Sequence, residues 1–175
     1  RLNLKEIGGR GIGYLSSSSK KSFRGAMKQS NTILILGSGF VASRLAMQLR
    51  NQYQVVLGYR RTAPHIPGTT SIPCDVLERN WLKRMVYTIY PSVIIYAAGK
   101  NQMEWAERDG RECERIHAGG PASACAVADI LQPKFIHLSN NYVFDGKRGN
   151  FKETDPVLPL TALGKAKLSG ENFIR

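Results

Sequence analysis

A near-continuous apolar run that ends in a glycine turn constrains this chain more than any other feature. Thr32-Ile33-Leu34-Ile35-Leu36 shows no polar alternation, as a strand buried on both faces of a parallel sheet requires. Gly37-Ser38-Gly39-Phe40-Val41-Ala42 follows directly, and Ser43 to Leu49 reads as a helix with Leu45 and Leu49 on one side. Strand, glycine turn and helix together form the context in which this spacing has a mechanism. Gly37 permits the tight turn, and Gly39 lets the backbone approach a pyrophosphate. Ala42, in a third glycine's place, still allows close helix–strand packing. Free N–H groups at the helix start then face the phosphates. The plainer alternative is a glycine turn with no ligand.

The downstream pattern repeats the theme. Gln54 to Tyr59 reads as a second strand and Thr69 to Ile72 as a third, ending at Pro73-Cys74-Asp75. Arg79 to Ile89 is helical, with Leu82, Met85, Val86 and Ile89 on one stripe. Ser92 to Tyr96 makes a fourth strand, residues 101–131 one long or broken helical region, and Lys134 to Leu138 a fifth strand. Strands alternating with helices mean parallel βαβ units, so the expected class is α/β, a Rossmann-type doubly wound parallel sheet. A chain of 175 residues, 42% of them hydrophobic, suffices for one such domain with its own core.

Residues 1–26 differ. They hold Gly8-Gly9-Arg10-Gly11-Ile12-Gly13, then Ser16-Ser17-Ser18-Ser19-Lys20-Lys21, without amphipathic period. The segment reads as a disordered, basic, serine-rich tail of transit-peptide character, or as sequence upstream of a true start at Met27. The second reading is preferred, leaving residues 27–175 as a truncated NAD(P)-binding Rossmann domain. The tail also bears on the net charge of +12, because Arg1, Lys5, Arg10, Lys20, Lys21 and Arg24 face only Glu6 there. No basic helix or aromatic–basic interleaving accompanies the rest, so a solvated basic surface is expected rather than a nucleic-acid partner. Cys74, Cys113 and Cys125 form no CxxC pair, and His65, His117 and His137 form no ligand motif. These point to a reducing, cytoplasmic compartment and to no metal. With no apolar run of bilayer length, no membrane partner is expected either.

The end of the second strand discriminates between dinucleotides. An acid there binds the ribose hydroxyls of NAD, whereas arginine accommodates the 2′-phosphate of NADP. Gly58-Tyr59-Arg60-Arg61 holds no acid and two guanidinium groups, so NADP(H) is the preferred cofactor and NAD(H) the other. The alternative is that both arginines are solvated loop charges. Asp75 is placed to accept from an adenine amino group, and Ala97-Ala98-Gly99 leaves space beside the fourth strand; they also read as a helix-capping acid and a tight loop.

Two further segments carry a family resemblance. Ser139-Asn140-Asn141-Tyr142-Val143-Phe144-Asp145-Gly146 follows the fifth strand, and Leu160-Thr161-Ala162-Leu163-Gly164-Lys165-Ala166-Lys167-Leu168-Ser169-Gly170-Glu171 lies beyond Asp155-Pro156. With the glycine turn, these resemble the extended short-chain dehydrogenase/reductase superfamily, most closely the dTDP-4-dehydrorhamnose reductase family, over residues 31–175. The resemblance implies hydride transfer from NADPH to a 4-keto deoxysugar nucleotide of the dTDP type. A homodimer also stands among the expectations. In that family a tyrosine protonates the substrate carbonyl, a lysine one turn on lowers the tyrosine's pKa and binds the nicotinamide ribose, and a serine or threonine bonds the carbonyl.

Here the resemblance assigns Lys167 to the lysine, but Leu163 stands at the tyrosine and Asn140 at the hydroxyl residue, with Ser139 one position away. His117 replaces the asparagine of the V-N-x-x-G-P segment. A hydride-accepting oxygen must be protonated or its charge stabilised, and leucine does neither. Two readings follow: a reductase that draws its proton from His117, Tyr142 or the substrate, or a catalytically silent dinucleotide-binding or regulatory subunit. The regulatory subunit of methionine adenosyltransferase, which resembles the same family, gives precedent for the second. The family's C-terminal substrate region is missing after Phe173-Ile174-Arg175, so the chain reads as a fragment, with an apolar helix end and a sheet edge left to be covered.

Overall fold

The computed structural model describes residues 31–174; the tail and Met27 lie outside them. Five strands alternate with helices: β1 (Thr32–Leu36), α1 (Phe40–Leu49), β2 (Gln54–Tyr59), β3 (Thr69–Pro73), α2 (Arg79–Ile89) and β4 (Val93–Tyr96). Then come α3 (Met103–Arg108), α4 (Gly110–Glu114), a π-helical turn (Arg115–Gly119), α5 (Gly120–Leu131), β5 (Lys134–His137), a 3-10 turn (Asn141–Val143) and α6 (Ala162–Ile174). The strands form one sheet in the order β3-β2-β1-β4-β5, every pair parallel. This is the doubly wound class expected from the alternation.

The unbroken apolar run of β1 has a simple cause. Leu34 and Leu36 face one layer, packing with Leu82, Met85 and Val86 of α2 and with Ala124, Val127 and Ala128 of α5. Ile33 and Ile35 face the other, against Ala42 and Ala46 of α1. A strand covered on both sides cannot spare either face for polar groups. Each fully buried leucine or isoleucine contributes roughly 1.5–3 kcal/mol, so β1 anchors both layers.

The helical region 101–131 is broken, and each break has a local reason. Asp109, with φ −113° and ψ 45°, separates α3 from α4. Pro121, at the start of α5, lacks the N–H that would bond the His117 carbonyl in an α-helix, and the ladder widens there into the π turn. Helix α1 begins at Phe40, earlier than the expected Ser43, because Gly39 is already the extended N-cap residue. Helix α6 closes over this layer, with the Thr161 hydroxyl accepting from Gly164 N at 3.1 Å. Gly164 lies against the Tyr142 carbonyl and Gly170 against the His117 carbonyl; a Cβ at either would collide with that backbone. No helix among the described residues is long and apolar enough to cross a membrane.

Candidate dinucleotide cleft

Register brings the carboxyl ends of the inner strands level. Leu36 pairs with both Gly58 and Tyr96, and Tyr59 with Pro73. The segments that follow β1, β2, β3 and β4 therefore meet at one edge, where the crossovers diverge to opposite faces; ligands of doubly wound sheets bind at such a point. A cleft of about 580 Å³ opens there. Gly37, Ser38, Gly39, Arg60, Arg61, Asp75, Ala97, Ala98 and Gly99 all line it, as do Trp105, Glu112 and Ile116 from the helical layer.

Gly37 has φ +128°, and a Cβ there would lie 2.8 Å from the Ala97 carbonyl carbon, so only glycine fits without strain. Its N–H donates to the Gly58 carbonyl at 2.9 Å, fastening the turn to β2. Around Gly39 nothing lies within 4 Å of a would-be Cβ, so its backbone stands open. Gly39 offers α1 no side-chain cap, and no acid occupies the first turn. The opening N–H groups of α1 therefore lack intrahelical acceptors, and the positive end of the helix is unneutralised. Phe40 and Val41 do not line the cleft with their side chains, which are 82% and 51% exposed. What they offer is backbone N–H.

The charges are arranged as an alternating chain. Arg60 Nε lies 3.6 Å from Asp75 Oδ2, and its Nη1 lies 3.7 Å from Glu112 Oε1. Glu112 is in turn held by Arg115 at 2.9 Å. Asp75 also accepts from Leu77 N at 3.0 Å, which fixes its carboxylate. Arg61 has no ion-pair partner among the described residues. Cys74, packed beneath Gly58, is an inert thiol whose pKa is pushed up to about 12 by burial and then by Asp75.

The other candidate residues gather elsewhere. Leu163 is fully buried in an apolar cluster with Trp105, Ala106, Cys113, Ile116 and Ala166. Trp105 and Ile116 belong both to this cluster and to the cleft lining, whereas Leu163 does not line the cleft. Lys167 is 5% exposed and donates to the Leu138 carbonyl at 2.8 Å; burial lowers its pKa to about 8. The Asn140 side chain accepts from Tyr142 N at 3.2 Å and so caps the 3-10 turn, while Ser139 is exposed. His117 is fully buried beneath Gly99, with Nε2 2.9 Å from the Lys100 carbonyl. Burial, then Lys167, lower its pKa to about 4, and His137 is lowered to about 4 by burial, Lys167 and His117. Neither His137 nitrogen, nor His117 Nδ1, has a hydrogen-bond partner. Sequence reasoning missed Glu112, Trp105 and Ile116 as cleft residues. No motif marks them, because packing of α3 to the π turn over the strand ends brings them there.

A doubly wound sheet with a glycine-turn cleft at its switch point marks the class of nucleotide-binding Rossmann-type proteins. Residues 31–175 match the family model described as the RmlD substrate binding domain, and the chain belongs to that family. It is 26% identical over 145 residues to the methionine adenosyltransferase 2 subunit beta of Bos taurus, covering 81% of this chain and 42% of that one. To a dTDP-4-dehydrorhamnose reductase of Burkholderia thailandensis it is 34% identical over 98 residues, 55% of this chain and 33% of the relative. Among solved structures, a hypothetical dTDP-4-dehydrorhamnose reductase from Sulfolobus tokodaii superposes with a TM-score of 0.75 at 29% identity, over 81% of this chain and 51% of that one. The chain thus spans about half or less of the length of the relatives it matches.

Proposed function

We propose that the cleft holds a nicotinamide dinucleotide, NADP(H) in preference to NAD(H), in a protein of the sugar-nucleotide reductase type. The observation that carries this reading is the level edge at which Gly37 to Gly39, Arg60 and Arg61, Asp75, and Ala97 to Gly99 converge. The α1 amides and the open backbone at Gly39 suit a pyrophosphate. Arg61 and Arg60 suit a 2′-phosphate, Asp75 an adenine amino group, and the small Ala97-Ala98-Gly99 segment the remainder of the ligand. When bound, the cofactor supplies a hydride; what these residues do is bind and orient it. The substrate class that goes with the family is a dTDP-linked 4-keto deoxysugar, and the unpaired thiols of Cys74, Cys113 and Cys125 fit a cytoplasmic setting.

A second reading, binding without turnover, is favoured by Leu163. It has no proton to give, is fully buried, and does not line the cleft that Trp105 and Ile116 of its cluster do line. Asn140 accepts from Tyr142 N through its oxygen, and its amide N–H can donate a hydrogen bond but no proton; His117 is bonded to the Lys100 carbonyl below the cleft floor.

Fluorescence titration of the full-length protein with NADPH and NADH tests the first claim. Saturable binding, tighter for NADPH, is expected; no binding of either overturns it. Arg61→Ala should weaken NADPH by about fivefold and leave NADH unchanged, as loss of one part-exposed charge pair implies. Turnover of a dTDP-4-keto sugar by the native protein would defeat the silent reading. Turnover only after Leu163→Tyr with Asn140→Thr would support it.

A further inference from the structure

We propose that Glu112 tunes which dinucleotide the cleft prefers, by competing with a ligand's 2′-phosphate for Arg60; the proposal rests on the dinucleotide reading above. Arg60 is shared between two acids from different parts of the fold, Asp75 after β3 and Glu112 on α4. At 3.6 and 3.7 Å both contacts are longer than a charge-assisted hydrogen bond, which runs to about 2.7–2.9 Å. The Arg60 side chain is 50% exposed, so it is loosely held and free to re-aim. Glu112 has a closer partner in Arg115, at 2.9 Å, three residues along its own helical segment.

These geometries set up an exchange. A phosphate carries more charge than a carboxylate and offers three acceptor oxygens to a guanidinium. Arg60 can therefore turn from Glu112 to a 2′-phosphate, and Glu112 stays compensated by Arg115. A ligand with a plain 2′-hydroxyl brings no anion and leaves the Arg60–Glu112 contact in place. Glu112 thus acts against the phosphate in two ways, by occupying Arg60 and by like-charge repulsion within the same cleft. Arg61, which has no ion-pair partner among the described residues, is the uncommitted cation and carries the larger share of phosphate affinity. Glu112 is a specificity-determining residue that no strand-end pattern reveals.

Glu112→Gln in the full-length protein, titrated with NADPH and NADH, tests this. About two- to fivefold tighter NADPH binding is expected, with NADH unchanged, the range set by part-exposed ion pairs. In an Arg60→Ala background the same substitution should give at most the small repulsion-relief gain, as a double-mutant cycle reads it. No gain for NADPH, an equal gain for both dinucleotides, or a full gain that persists without Arg60 overturns the proposal while leaving the dinucleotide reading intact. Failure of the unsubstituted protein to bind either dinucleotide overturns both.

Discussion

The cleft and the region beneath α6 are neighbours built on opposite plans. The cleft is made largely of backbone: glycine at Gly37, open main chain at Gly39 and small residues at Ala97 and Ala98. Its charged side chains, Arg60, Asp75 and Glu112, are a third to a half exposed, and Trp105 and Ile116 add an apolar flank. Beneath α6 the interior is made of side chains, with Leu163, His117 and Lys167 all nearly or fully buried and Gly164 and Gly170 in contact with facing carbonyls. One region is shaped to receive a ligand. The other is packed shut, and Leu163, which the resemblance sets at the proton donor's position, lies in the core. Binding a dinucleotide needs amides and charges at a strand edge, whereas protonating a substrate needs an acid exposed to it. This chain has amides and charges at the strand edge, and around Leu163 it has apolar packing.

That contrast can be broken in three ways, in order of expected effect. If the cleft depends on absent side chains, Gly37→Val should be the most damaging change. Its Cβ meets the Ala97 carbonyl and its φ of +128° strains any β-branched residue, so a loss of about 4 kcal/mol with loss of dinucleotide binding is expected in urea melts and titrations. A stable, binding variant would mean the turn is not the anchor described.

The packed region should reveal itself by acid. His117 and His137 have folded pKa values near 4, below the usual 6.5, so between those limits the unfolded chain binds more protons than the folded one. Their contribution is complete above pH 6.5 and is lost as pH falls to 4, by up to roughly 3 kcal/mol for each imidazole. Stability measured against pH should begin to fall near 6.5, above the carboxylate range; a flat profile down to pH 5 would show that neither imidazole is buried neutral. Lys167, lowered from 10.5 to about 8, works in an alkaline window, where stability rises with pH between those values.

Leu163→Ala sharpens the comparison most directly. Removing a fully buried leucine should cost about 2–3 kcal/mol of stability yet leave NADPH affinity unchanged, because Leu163 does not line the cleft. A large change in affinity without a loss of stability would mean that Leu163 faces the ligand after all.

Much of the fold was legible because strand and turn chemistry are local. The run Thr32 to Leu36, the glycine turn and the alternation of strands and helices announce a doubly wound sheet, and the residues that end each strand announce where its edge lies. Helix boundaries were less legible. The segment 101–131 reads from sequence as one long or broken helical region, and only the structure places the breaks at Asp109 and at the π turn before Pro121.

The site divides in the same way. That Leu163 cannot donate a proton and that Arg60 and Arg61 carry charge follow from residue identity alone. That Leu163 is fully buried, that Asn140 spends its oxygen on a turn and that Lys167 is tied to the Leu138 carbonyl are facts of packing. The chain's own pattern determined the parallel sheet and the place of the cleft, because both arise from periodicity and from glycine at one turn. Tertiary structure alone decided the company Arg60 keeps. Arg60 and Glu112 lie far apart in sequence, and only the folding of α4 over the strand ends brings them within 3.7 Å.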